Sequence, residues 1–499
     1  MNLKKMAIIM RIVISFFTVS ILLTSALHAD WPQFRGHNSA GVADGAAMPI
    51  EFGPGKNELW SLPLNSGHSS PCIVGNSIFL TTYDQDRKKL EVLCIDRDEG
   101  AIRWRRNVAT DRIETGHPSF NPASSSPTSD GERVVAYFGS FGLICFDMDG
   151  EKLWDVKMPL TKSYAGNATS PSIVGDRVIL YRGNHVDHFL LAVDKESGKQ
   201  LWKVQQDEPF SSELACTSCP IVTNDKLIVH TARSLQAFEI SSGKQIWVAK
   251  CATTATSTPV LAGEEVIVAA WNKMGEAALR PTFPSFNELV AAHDKDKDKL
   301  ISRDELPRLM IFHRPDGAEA PQNGAALRFE RADKNRNGEI TADEWDLRIQ
   351  QLEQFRASYD THGILAIQID SQGIVRPDQI RTLETQGIPE VPSPLFHNGI
   401  VYFVKNGGVL TCLDLETGER VSRVRTRGRG THYASPIIAD GKLFCTAGNG
   451  TITVLSSGPN PKILAVNDMG EGTFATPAAV DGTLYVRTHN RLLAFGLRQ

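Results

Sequence analysis

Three scarcities frame this 499-residue chain. Basic charge is not in excess, since 53 Lys and Arg stand against 57 Asp and Glu, and this balance argues against nucleic acid as a partner. Cysteine is sparse and scattered, at 72, 94, 145, 216, 219, 251, 412 and 445, with no adjacent pair and no haem-attachment CxxCH. Its single CxxC, Cys216 and Cys219, has no second copy to complete a zinc site. The two could bridge or bind metal, and export permits disulfides. Most of the eight nevertheless lie in apolar, strand-like runs and are expected as small buried core residues. Third, no apolar run reaches the roughly 20 residues that cross a bilayer. The run at 12–27 follows Lys4, Lys5 and Arg11 and ends in small residues, which is the order of a secretory signal. It predicts a signal peptide over 1–29 cleaved after Ala26 or Ala29, export to the periplasm or cell surface, and no transmembrane domain afterwards. Losing those three positive charges would take the formal net charge from -4 to -7.

What the chain has in quantity is repetition. SSPCIVGNSIFL at 69, TSPSIVGDRVILY at 169, PSPLFHNGIVYFV at 392 and ATPAAVDGTLYVRT at 475 are four of eight copies of one unit. A small residue and Pro lead into a short strand, a Gly, Asn or Asp turn and a second β-rich strand, which is a hairpin signature. The anchoring prolines are 71, 127, 171, 220, 259, 394, 436 and 477. A third strand follows each hairpin, and in several repeats a Gly turn and a fourth strand place Trp104, Trp154, Trp202 and Trp247 equivalently. A four-stranded antiparallel sheet recurring every 40 to 50 residues is the unit of a β-propeller. The eighth unit has only three strands, and NELWSLPL at 57–64 carries Trp60 with no hairpin before it. It is expected to pair with the segment around 491–497 and close the ring, which removes two sheet edges. Regular spacing assigns the Trp residues to packing between blades.

One gap breaks the rhythm. Pro259 and Pro394 are 135 residues apart, where the other intervals run 39 to 56, and the excess, about 273–361, changes from strand to helix period. SFNELVAAH opens with Ser285 and Glu288 spaced as a capping box. The loop DKDKDKLISRDE then presents Asp294, Asp296, Asp298, the Leu300 carbonyl, Ser302 and, at the head of a following helix, Glu305. A second loop, DKNRNGEITADE, presents Asp333, Asn335, Asn337, the Glu339 carbonyl, Thr341 and Glu344. Six or seven hard oxygens closed by a bidentate Glu suit calcium, so the segment reads as an EF-hand pair with two Ca2+ sites, joined through Ile301 and Ile340. Position 6 of the loop needs a left-handed backbone, supplied by Gly338 in the second loop and imposed on Lys299 in the first. A constitutive structural role for calcium is expected in preference to a switch, since Met310 is the Met these helices offer.

The repeat, roughly AxDxxTGxxxW, resembles the quinoprotein-type propeller repeat of bacterial PQQ-dependent dehydrogenases and of BamB-like scaffold proteins, and DWPQFRG at 30–36 resembles the start of exported members. The resemblance covers 30–272 and 362–499. It implies an all-β, eight-bladed β-propeller, here interrupted by an inserted α-helical EF-hand pair at 273–361. In the dehydrogenases of that family an adjacent cysteine pair holds the quinone, and this chain has none, so PQQ is not expected. Polar residues gather before first strands, and His117, Asn167, Arg427, Arg429, His432 and Tyr433 are candidates for a common mouth. None shows the spacing of a nucleophile and its base, and no catalytic residue is assigned. The expected function is that of an exported, calcium-binding, non-catalytic scaffold for other envelope or secreted proteins. The alternative is a PQQ-dependent oxidoreductase, or another enzyme, using the polar face.

Overall fold

The computed structural model describes residues 30–497 apart from 44, 209–215, 252–253, 255, 273–274, 276–279, 314–324 and 358–360; the signal-like segment 1–29 lies outside the described residues. Hairpins form where the sequence places residues that accept positive φ. Asn398–Gly399, Asp440–Gly441 and Asp481–Gly482 each take φ between 47 and 80 at both positions, the backbone that matches the twist of flanking strands in a two-residue turn. Each hairpin grows into an antiparallel four-stranded sheet. In the first blade the strands are Cys72–Val74, Ser77–Asp84, Lys89–Asp96 and Ile102–Val108.

Eight such sheets form the propeller. The last contains Ala478–Val480, Thr483–Arg487 and Arg491–Phe495, and its fourth member is the early strand Glu58–Pro63, paired antiparallel with Arg491–Phe495 so that Trp60 faces Ala494. The core is layered between neighbouring blades. Phe79 and Cys94 of the first blade, for instance, pack with Val134 and Phe146 of the second. All eight cysteines are buried and free.

Two sets of contacts hold blade to blade. On the outside, the indole N–H of each repeat Trp donates to a carbonyl in the turn of the next blade: Trp60 to Arg97, Trp104 to Met148, Trp154 to Lys195, Trp202 to Ile240 and Trp247 to Ile369, at 2.8 to 3.0 Å. Turn glycine is required there for two reasons. At Gly150 and Gly198 φ is 83 and 70, and a Cβ would lie 2.7 Å from the Trp104 or Trp154 ring, so any side chain would be strained and would displace the indole.

On the inside, the residue before each anchoring proline donates its amide to the side chain of its counterpart in the next blade. Ser70 donates to Ser126, Ser126 to Ser170, Ser170 to the Cys219 sulfur and Cys219 to Thr258. Thr258 donates to Ser393, Ser393 to Ser435, Ser435 to Thr476 and Thr476 back to Ser70. The small polar residue of the repeat is thus a closed ring of eight buried hydrogen bonds, each satisfying an amide that would otherwise be buried and unpaired.

The segment before the first blade fills the channel inside this ring. Trp31 bridges Ile73 of the first blade, Pro32 accepts from Ser129 of the second, Asn38 exchanges two bonds with Val222 of the fourth, Arg35 donates to the Pro394 carbonyl of the sixth, and Val42–Ala43 pairs parallel with Ile438–Ala439 of the seventh. Blades two and six are opposite each other in a ring of eight, so the segment crosses the axis.

The long excursion leaves from the fifth blade between Glu265–Ala270 and Gly363–Gln368, which still pair in unbroken register from Glu265 with Gln368 to Ala270 with Gly363. It contains helices α1 (Phe286–His293), α2 (Phe329–Ala332) and α3 (Ala342–Ala357). Ile301 pairs with Ile340 in a two-stranded sheet over a small core that includes Phe286, Leu289, Phe329 and Trp345. The Ser285–Glu288 capping box forms at the start of α1. After Glu305 the expected exit helix is reduced to one turn, with the Leu306 amide bonded to the Ser302 carbonyl, because Pro307 follows and cannot donate to continue it.

Candidate functional site

Two places gather polar groups: the axis of the propeller and the loops of the insertion. On the axis, a funnel of about 500 Å³ opens above the hydrogen-bonded ring. Phe34, from the segment that crosses the channel, forms its floor, and Ser70, Ser126, Ser393, Ser435 and Thr476 line its base. Aromatic rings stand at the wall: Tyr433 meets Phe474 edge-on at 4.8 Å, His68 meets the same ring at 5.0 Å, and His117 lies 5.2 Å from Tyr164. Burial, then the neighbouring His489 and Arg487, push the His68 imidazole down to about 3, so it is neutral at ordinary pH. Trp271 and Asn272 complete one side. They are the last residues of the blade before the insertion, and the Asn272 amide is tied at 3.0 Å to Nδ1 of His362, the residue just before the returning strand. The insertion therefore leaves the propeller at the funnel rim.

Of the six residues expected at a common mouth, His117 and Tyr433 line the funnel. Asn167 and His432 are buried behind it, at 1% and 0% exposure. The reason is local: the Asn167 side chain donates to Gly183, its amide donates to Glu114, and the His432 amide donates to Asn406, so both brace loops from beneath. Arg427 and Arg429 are exposed and lie outside the funnel. Glu114, unremarkable in the sequence, is buried beside Asn167 and hydrogen-bonded to Thr161. Burial raises its carboxyl to about 8 against the lowering effect of the Asn167 amide and Arg182. Phe34 and Trp271 also escaped sequence reasoning, and the signal available for Phe34 was an aromatic segment ahead of the first blade with no hairpin of its own.

The two loops of the insertion repeat one pattern of bonds. The carboxylate at position 1 accepts from the amide at position 6, Asp294 from Lys299 and Asp333 from Gly338, each at 3.0 Å. Position 3 accepts from 5, Asp296 from Asp298 and Asn335 from Asn337, and position 5 accepts from 7, Asp298 from Leu300 and Asn337 from Glu339. Glu305 accepts from Lys295 and from the amide and hydroxyl of Ser302, and Glu344 accepts from Lys334, Asn335 and both groups of Thr341. Lys299 takes φ 68 where Gly338 takes φ 91.

Electrostatics in the first loop pull in opposite directions. The amides of Ser302 and Lys295 and the Ser302 hydroxyl hold the Glu305 carboxyl down at about 2. Asp296 is relieved by the Asp298 amide, yet desolvation and the charges of Asp298, Glu305 and Asp294 leave it raised. Carboxylate oxygens of Asp294, Asp296 and Glu305 lie within 4.8 Å of one another. In the second loop Asp333 is 6% exposed, and its Oδ1 has no hydrogen-bond partner among the described residues.

Comparison with known proteins agrees with the repeat. A family model described as that of the outer membrane protein assembly factor BamB matches residues 88–322 and 379–498. The outer membrane protein assembly factor BamB of Yersinia pestis is 27% identical over 222 residues, 42% of this chain and 51% of that protein. The chain thus spans about half the length of this relative. Among solved structures, BamB from Moraxella catarrhalis matches with a TM-score of 0.53 and 11% identity, over 89% of this chain and 98% of that one. A europium-containing methanol dehydrogenase matches with a TM-score of 0.55 and 12% identity, over 94% of this chain and 98% of that one. At such identities the two structures speak for fold alone, and the fold they share serves an assembly factor and a dehydrogenase alike.

Proposed function

The chain belongs to the family of BamB-like, PQQ-type propellers, and from that premise we propose that it is an exported, calcium-binding scaffold that joins other proteins of the cell envelope. The observation that carries this reading is the family match over 88–322, which runs from the first blade into the insertion, and over 379–498 beyond it, to a model described as that of an outer membrane protein assembly factor. Its domains are the signal segment 1–29, the propeller in two parts, 30–272 and 362–499, and an EF-hand pair at 273–361. A ring of blades with its central hole filled is a rigid body, and rigid bodies with large faces suit the holding of partners at little cost in ordering.

Calcium is proposed on the donor set. Asp294, Asp296, Asp298, the Leu300 carbonyl, Ser302 and Glu305 would hold one ion, and Asp333, Asn335, Asn337, the Glu339 carbonyl, Thr341 and Glu344 the other. What supports the fit is the convergence of three carboxylates in the first loop and the buried, unpartnered Asp333 oxygen in the second. A bound ion supplies the positive charge that lets those carboxylates stay ionised side by side. The loops' own amides orient them.

Purification from the envelope fraction in calcium buffer, with crosslinking and mass spectrometry, tests the scaffold reading. The expected result is a chain lacking 1–29, crosslinked to outer-membrane or periplasmic proteins; retention in the cytoplasm with the N-terminus intact would refute it. The likeness in fold to a methanol dehydrogenase gives the second reading, an enzyme. A stoichiometric complex with pyrroloquinoline quinone that oxidises alcohols or sugars would replace the scaffold.

A further inference from the structure

The ring of hydrogen bonds at the base of the funnel has capacity left over. In Ser70, Ser126, Ser393, Ser435 and Thr476 the side-chain oxygen accepts the amide of the blade before it. Among the described residues none of these five hydroxyl protons is spent on an acceptor. A hydroxyl has one donor and two acceptor positions, so each keeps a proton and a lone pair, and all five line one cavity. An apolar ligand at that depth would leave them deprived of water and unsatisfied.

Charge narrows the class further. Among the described residues, Arg233 and Glu390 are the charged side chains of the lining, one of each sign. Glu390 is already bonded to Asn406, and the neutral state of His68 adds no cation. An anion of several charges would meet no matching excess of cations, and a cation no excess of carboxylates. The walls meanwhile are aromatic, with Tyr433, Phe474 and His68 grouped on one side and His117 and Tyr164 on another. A ligand that fits must be neutral, must both donate and accept at its deep end, and must offer C–H surface to ring faces along its sides.

We propose that the axial funnel binds a neutral saccharide, either a free oligosaccharide or the end of a glycan chain. Sugar hydroxyls take and give hydrogen bonds at these five hydroxyls of the ring, while the apolar faces of the pyranose rings pack against Tyr433, Phe474 and Tyr164. The volume, about 500 Å³, is that of an ordinary small-molecule site. This assignment concerns the funnel alone and does not depend on which proteins the propeller joins.

The full chain, titrated with maltohexaose, cellohexaose and chitohexaose by calorimetry and by Trp fluorescence, tests it. At least one hexasaccharide should bind with Kd below about 10 mM. Tyr433→Ala should weaken that binding about tenfold or more, whereas Tyr433→Phe, which keeps the ring, should stay close to wild type. Thermal unfolding of both variants separates lost binding from lost folding. Co-sedimentation with insoluble chitin or cellulose, reversed by the hexasaccharide, assigns the ligand to a chain end, and hexasaccharide binding without co-sedimentation assigns it to free oligosaccharide. The proposal fails if no hexasaccharide binds, if a folded Tyr433→Ala protein binds within about twofold of wild type, or if a hexauronate or pyrroloquinoline quinone binds the same site more tightly than every neutral sugar.

Discussion

The propeller and the insertion solve the same problem by different means. Both must hold together elements that cannot bury an apolar face alone. The propeller does so by recurrence: each blade repeats the previous contact, and the eighth hands it back to the first through the Thr476 to Ser70 bond and the pairing of Glu58–Pro63 with Arg491–Phe495. The insertion has a small core beneath two loops whose carboxylates are held by amides. A unit of that size buries too little surface to be secure without a staple. Recurrence spreads stability over many equivalent contacts, whereas the insertion concentrates it in a few charged positions.

If stability in the propeller is shared but cooperative, removing one buried indole should be felt by all eight blades. Trp247 is 1% exposed and donates to Ile369 in the next blade. Trp247→Ala should cost about 3 to 5 kcal/mol, read as a shift of a single urea transition. Trp60 closes the ring but is only half-buried, so its loss should cost less than that of Trp247, although its topological place is the more exposed one. Two separate transitions in Trp247→Ala would mean that the blades unfold independently.

The sharing is also why the fold class could be read from the chain. Small residue, proline, hairpin, turn glycine and Trp recur at fixed offsets, so eight weak signals add to one strong one. What escaped has partners far apart in sequence. The plug cannot be inferred from DWPQFRG, because its residues meet 73, 222, 394 and 438 only after the ring has closed. The fifth blade's last strand, Arg381–Glu384, has Leu383 against Gly418 where the first four blades and the eighth have Trp. The connection before it detours to lay Gly373–Val375 on the fourth blade's Gln245–Lys250. Loop position was a poor guide to exposure at the mouth, since Asn167 and His432 look like loop residues yet are drawn inward by bonds to Gly183 and Asn406.

The inner ring offers a gentler break. Ser126→Ala would leave the Ser70 amide, which now donates to it at 2.8 Å, buried without a partner. A loss of about 1 to 3 kcal/mol is expected by denaturant melting. Thr at 126 should restore most of it, because Thr258 and Thr476 already serve the same position. A Thr variant as unstable as the Ala variant would mean that packing, rather than the hydrogen bond, fixes the ring.

Calcium removal should touch the propeller least, and this sets the comparison most sharply. Strands Glu265–Ala270 and Gly363–Gln368 pair without a shift across the excursion, and the Asn272 to His362 bond fastens its two roots. The blade is therefore closed below the insertion whatever the loops do. Chelation, or Glu305→Gln together with Glu344→Gln, should abolish amide protection over 286–312 and 325–352 in hydrogen exchange while moving the propeller's unfolding free energy by under about 0.5 kcal/mol. Protection unchanged by calcium would remove the ion from the account of the insertion. Protection lost in both regions would mean that the roots transmit the state of the loops to Trp271 and Asn272, and the two ways of holding a chain together would then be one coupled system meeting at the funnel rim.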